Sequence, residues 1–206
     1  MLKNKFYIFG IAAVMIYVST VVLGGLLWPA YSHIEQAISE LTFRQAPNLT
    51  LMRSLFGIYN VLLLVFGTGL FLSAKSKALK TSAVFVLICA FSGVVMLFFP
   101  QDPLHTTLTT SGLIHLIFAG VASITTLFAV SFAAAGAWSD DRKLGIFSWI
   151  TFGIIMISGP ITALAPTKLP HYFGLVERVT IGTFIVWLLV YSLCYRKKLS
   201  RKESRV

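Results

Sequence analysis

The chain has 206 residues, of which 57% are hydrophobic and 12% charged, with a formal net charge of +10 and a mean hydropathy of +0.84. That is about half the charge of a typical soluble domain, and the apolar and aromatic content excludes a disordered chain. Six long stretches without Asp, Glu, Lys or Arg exclude a soluble enzyme and point to a polytopic membrane protein.

A helix needs about 20 apolar residues to cross roughly 30 Å of hydrocarbon. The stretches predict six helices, at 6–28, 51–73, 81–100, 112–136, 144–165 and 174–194. The expected fold is all-α: one six-helix transmembrane bundle, 1–206, with a basic tail over 195–206. The first apolar run exceeds the roughly 7–15 residues of a signal-peptide core. It ends in Leu27-Trp28-Pro29 with no small-x-small site, so it reads as an uncleaved helix.

The first loop, 29–50, is the one long connection. Ile34, Ala37, Ile38 and Leu41 stand at i, i+3, i+4 and i+7, the apolar face of a short helix. Ser32 and Glu35 have capping-box spacing. The expectation is an amphipathic helix over 32–41, lying on the membrane surface or lidding the bundle, with His33, Gln36 and Glu40 on its polar side.

In the second span Arg53, Gly57, Asn60, Leu64 and Gly67 follow a helical stripe. Such a stripe faces a bundle interior, although Arg53 has the alternative of snorkelling to headgroups and Asn60 of joining helices. The fourth span carries a similar stripe of His115, Ala119, Ala122 and Thr126, where the histidine is either a packing residue or a ligand. Ser158-Gly159-Pro160 predicts a bend in the fifth span. Glu177 and Arg178 fall in the first turn of the sixth, where a carboxylate suits the positive helix end. Cys89 and Cys194 differ in depth by about half a bilayer, too far for a disulfide.

With the N-terminus inside, thirteen of the seventeen lysines and arginines are cytoplasmic, and Arg44, Arg53, Lys168 and Arg178 are outside. The positive-inside rule therefore puts both termini in the cytoplasm. The basic tail suits anionic inner-leaflet lipid. No nucleic-acid partner is expected, because no folded domain accompanies it.

All four histidines, His33, His105, His115 and His171, fall on the outer side, with Glu35, Glu40, Asp102 and Glu177. Ionisable groups at membrane depth mark function, although any loop also needs polar residues. The expected pocket is lined by His33, Ser39, Glu40, Asp102, His105, His115, His171, Glu177 and Arg178, with Arg53 nearby. Asp102, His105, His115, His171, Glu177 and Glu40 are expected to converge, at least three of them within about 8 Å. They offer nitrogen and oxygen donors of a kind zinc accepts, but the sequence holds no HExxH or CxxC. Ser39 or Ser111 with a histidine base is a second chemistry, and bis-histidine haem ligation a third.

The run Tyr31-Ser-His-Ile-Glu-Gln-Ala-Ile-Ser-Glu-Leu41 with Ala46-Pro47 carries a resemblance. So do Phe99-Pro-Gln-Asp102 with His105, His115, and Gly174-Leu-Val-Glu-Arg178. Together they resemble an uncharacterised prokaryotic membrane family, domain of unknown function 998 (DUF998). The resemblance implies six helices and a bacterial plasma membrane, and supplies no activity. Ile38-Ser39-Glu40 is distantly similar to the first loop of the Frag1/DRAM/Sfk1 membrane proteins, which implies lipid handling.

Two functions are expected to compete. In one, Asp102, His105, His115 and Glu177 serve a hydrolase or transferase, metal-dependent or not, acting on a lipid or small amphiphile. In either case His33, Ser39, Glu40, Arg53, His171 and Arg178 are the expected ligand-binding residues; in the other function the same charged groups hold a headgroup or solute, for binding or transport, without catalysis. Alternating access calls for a polar route through the inner half. Leu62 to Phe71, Ile117 to Val130 and Trp187 to Leu193 offer only small hydroxyls there, which weighs against a solute transporter.

Overall fold

In the computed structural model, the structure describes residues 5–103 and 106–203, with side chains through Arg196. Six long helices follow in order: α1 (Phe6–Leu26), α2 (Leu49–Ser73), α3 (Lys77–Phe98), α4 (Thr110–Ala137), α5 (Arg142–Lys168) and α6 (Phe173–Glu203). All six are long and apolar enough to cross a membrane. Short 3-10 turns lie at Ile38–Thr42 and Pro170–Tyr172, and the described residues contain no strand.

Each helix packs on its neighbours in sequence, and α1 closes the ring against α6. The start of α1 and the late part of α6 lie together at one end of the bundle, with the 2–3 and 4–5 connections; the opposite end carries the other three loops and is called the loop end here. The interior is sealed by Phe66, Trp187, Leu188 and Val130 among alanines such as Ala13, Ala83, Ala129 and Ala133. Small residues bring helices close, which matters where lipid supplies no hydrophobic drive. Two polar contacts join helices across the interior: Trp187 Nε1 donates to Ser148 Oγ at 2.9 Å and Ser82 Oγ to the Ala129 carbonyl at 2.7 Å. The outer surface is equally apolar, with Leu26, Phe98 and Ile157 each more than two-thirds exposed, as suits a bundle solvated by hydrocarbon.

Local chemistry starts three of the helices. Ser76 Oγ, Thr109 Oγ1 and Asp141 Oδ1 accept the third-residue amides of α3, α4 and α5 at 3.1–3.2 Å. The helix of α5 continues through Pro160 and Pro166. α6 runs on to Glu203, past the expected end of the sixth span at 194, so the basic segment is helical over 195–203. No disulfide joins Cys89 and Cys194.

The first loop differs from its expectation. One helical turn, closed by Gln36 N–H on the Ser32 carbonyl at 2.9 Å, is followed by Ala37 in an extended conformation (ψ 154°) and then the 3-10 turn. Ala37, Ile38 and Leu41 are buried as the apolar pattern requires, but Ile34 is 51% exposed. The segment is an irregular strap with an apolar underside, not an amphipathic α-helix over 32–41.

Candidate functional site

The first turn of a helix leaves its amides without intrahelical acceptors. At α6 the strap supplies them: Gly174 N–H reaches the Glu35 carbonyl at 3.3 Å and Leu175 N–H the Ile34 carbonyl at 2.9 Å. One turn further on, two charged side chains turn back onto the strap. The Glu177 carboxylate accepts the Ile38 amide at 2.5 Å. Arg178 Nη1 donates to the carbonyls of Gln36 and Gly174 at 2.8 and 2.9 Å, and Nη2 to the Tyr31 hydroxyl at 2.5 Å. The guanidinium also lies 5.6 Å from the Tyr31 ring centroid, within cation–π range.

The strap braces itself around the same point. Tyr31 Oη donates to the Ala37 carbonyl at 2.8 Å. Glu40 accepts the Ala37 amide at 3.0 Å and the Gln36 side-chain amide at 3.1 Å, and is buried. Burial pushes the Tyr31 phenol up to about 12, against the opposing pull of Arg178. The phenol therefore stays protonated and keeps donating. Gly174 permits the close approach, since a Cβ there would collide with the Gln36 carbonyl and with Arg178 Nη1.

His33 stands edge-on to Tyr31, ring centroids 5.2 Å apart, with its imidazole against Gly25 of α1. Partial burial, and secondarily the Arg178 charge, hold it below the ordinary histidine range. His171 meets Glu35 at 3.3 Å in an exposed pair on the rim.

Asp102, His115 and Ser111 form a separate group where α3 turns into α4. Asp102 accepts the amide and hydroxyl of Thr109 at 2.7 and 2.9 Å, so it braces the residue that caps α4. His115 is buried with Nδ1 2.9 Å from the Phe99 carbonyl, and Ser111 Oγ donates to the Pro100 carbonyl at 3.0 Å. Ser39 Oγ, donating to Gln101 Oε1 at 2.7 Å, links this group to the strap. His105 lies outside the described residues.

The structure thus gathers Glu40, Glu177 and Arg178 on the peptide 36–38, sets Glu35, His33 and His171 around them, and puts Asp102 and His115 elsewhere. Among the described residues no three His, Cys, Asp or Glu side chains form a group able to hold a metal ion. The only cation–carboxylate pair among them is His171 with Glu35. Arg178 Nε and Arg53 Nε are both buried without a hydrogen-bond acceptor.

Sequence reasoning left Tyr31 and Gln36 out of the site and placed no site residue on α1. Tyr31 stood inside the quoted loop motif.

The family model described as "Protein of unknown function (DUF998)" matches residues 11–193, and the chain belongs to that family. No curated protein and no solved structure matches it.

Proposed function

We propose that this member of the DUF998 family binds the anionic headgroup of a lipid or another amphiphile at the loop end of its bundle, without catalysing a reaction on it. The observation that carries this reading is Arg178. Its guanidinium has no carboxylate in ion-pair contact, and its Nε–H has no acceptor. An arginine is permanently charged; Glu177 lies near enough to interact with it through space but does not pair with it, and a partly buried charge compensated only at a distance is costly. An anion bound there offsets that cost.

The catalytic reading is weaker because the candidate acids and bases already have partners. Asp102, Glu40 and Glu177 accept backbone amides, and His115 sits on a carbonyl. The site is placed on the outer face of a bacterial plasma membrane, with both termini cytoplasmic. The support is the lysine and arginine bias of the connections.

The test compares the protein in neutral detergent with added amphiphiles of one chain length and either a phosphate, a phosphocholine or a glucoside head. The phosphate head is expected to raise Tm more than the other two. Arg178→Lys is expected to retain part of that increment, and Arg178→Gln to lose it. Equal increments for all three heads in the wild type would overturn the reading. A metal ion bound stoichiometrically and required for stability would restore the enzyme.

A further inference from the structure

The ring of helices is not equally tight all the way along the seam between α1 and α6. Near the termini the two helices touch: a Cβ on Gly10 would collide with Ser192 Oγ, and Arg196 lies 5.8 Å from the Tyr7 ring centroid. Toward the loop end they part, leaving a groove of about 160 Å³. Tyr17, Val18, Val21 and Val22 form its α1 wall, and Gly182 and Ile185 its α6 wall. At Gly182 nothing lies within 4 Å of where a Cβ would stand, so the wall is open at that point. Ile38 of the strap roofs the groove, and Arg178 is the one charged residue lining it.

We infer that this groove holds one acyl chain of a two-chain anionic phospholipid from the surrounding bilayer, with the lipid phosphate at Arg178. The inference rests on the headgroup reading above and adds the ligand's class and its route of entry.

Three observations carry it. The first is polarity along the groove: valine and isoleucine side chains and the Tyr17 ring for most of its length, a guanidinium at its loop end. From Arg178 to Ile185 is seven residues, or about 10 Å of helix. Arg178 stands five residues into α6, about 8 Å from its start by the same rise, under a roof made by the strap. A ligand therefore reaches it from the side.

The second is size. Sites that enclose a whole small molecule run to about 300–1,000 Å³. At about 160 Å³ this groove takes one chain segment, and the second chain stays in the bilayer. The third is exposure. Val18 and Val22 are 48% and 50% exposed on the bundle's outer face, so a chain slides in laterally without crossing a polar barrier.

The test uses the full chain in nanodiscs of phosphatidylcholine. These are doped with phosphatidylglycerol or with phosphatidylcholine, each carrying a photoactivatable diazirine midway along one chain. The expected result is labelling of 17–22 and 182–185, favouring phosphatidylglycerol by about fivefold, the ratio one arginine supplies at an anionic headgroup. Gly182→Leu should fill the groove and abolish that labelling, yet leave the Tm increment from a phosphate-headed amphiphile in place. Gly153→Leu, also in open space, should change neither.

Equal labelling by the two lipids, or labelling spread evenly over the outer faces of all six helices, would overturn the inference. So would cross-links joining these residues in two copies of the chain. If the groove is labelled selectively but the phosphate-headed amphiphile gives no increment, the chain site stands and the headgroup reading fails. If the increment persists with no selective labelling, the reverse holds.

Discussion

The carboxylate of Glu177 accepts the backbone amide of Ile38 at 2.5 Å, across 139 positions of sequence. Through this bond the start of the last helix holds the first loop over the bundle. Glu177→Leu removes the acceptor and strands the amide at a part-buried site, which costs about 1–3 kcal/mol. Glu177→Gln keeps an acceptor oxygen and should lose less. Thermal unfolding in detergent should rank wild type above Glu177→Gln above Glu177→Leu, with Lys75→Gln, at an exposed site, indistinguishable from wild type.

Gly174 should tolerate no side chain. Alanine in a helix ordinarily gains up to about 1 kcal/mol over glycine. Here its methyl would meet the Gln36 carbonyl, which cannot retreat without giving up its bond to Arg178. Overpacking of this kind costs about 1–3 kcal/mol. Gly174→Ala should lower Tm and expose 29–48 to protease, while Gly153→Ala, in open space, should do neither.

Acid should loosen the strap through His33. Its folded-state affinity for a proton is lowered, first by burial and then by Arg178. The unfolded chain therefore binds that proton more readily. The stabilisation is present above the ordinary histidine value of about 6.5 and is lost as pH falls below it. The His33 contribution is read as the difference between the Tm profiles of wild type and His33→Asn measured between about pH 5 and 8. Wild type should lose more Tm, or gain less, on acidification than His33→Asn. An unchanged profile in His33→Asn would remove this role.

Orientation is testable by labelling. Single cysteines at Gln45, Thr107 or Lys168, in a background lacking Cys89 and Cys194, should react with an impermeant thiol reagent on intact cells. A cysteine at Lys77 should react only after permeabilisation. The opposite pattern would invert the topology and move the Arg178 site to the cytoplasmic face.

The six spans were legible in the sequence because a bilayer leaves little choice. Backbone polar groups in hydrocarbon must be satisfied within the segment, so a spanning element is a long apolar helix. Charges then mark its ends. The expected limits agree with the observed helices to within a few residues, apart from α6, which outruns its apolar stretch. The sequence also marked Glu177 and Arg178, since charged residues inside an apolar run stand out.

What they do was decided by tertiary structure. The pattern of Ile34, Ala37, Ile38 and Leu41 predicts a helix in which the Ile34 carbonyl accepts the Ile38 amide. In the fold that carbonyl accepts from Leu175, and the Ile38 amide goes to Glu177. The Glu35 carbonyl likewise turns to Gly174. Each local bond was exchanged for one to α6, and the local spacing is the same whichever partner wins. Asp102 and His115 were drawn from the expected cluster in the same way, by Thr109 and the Phe99 carbonyl. A sequence states which groups must be satisfied, and only the packed bundle determines which unsatisfied group arrives beside each of them.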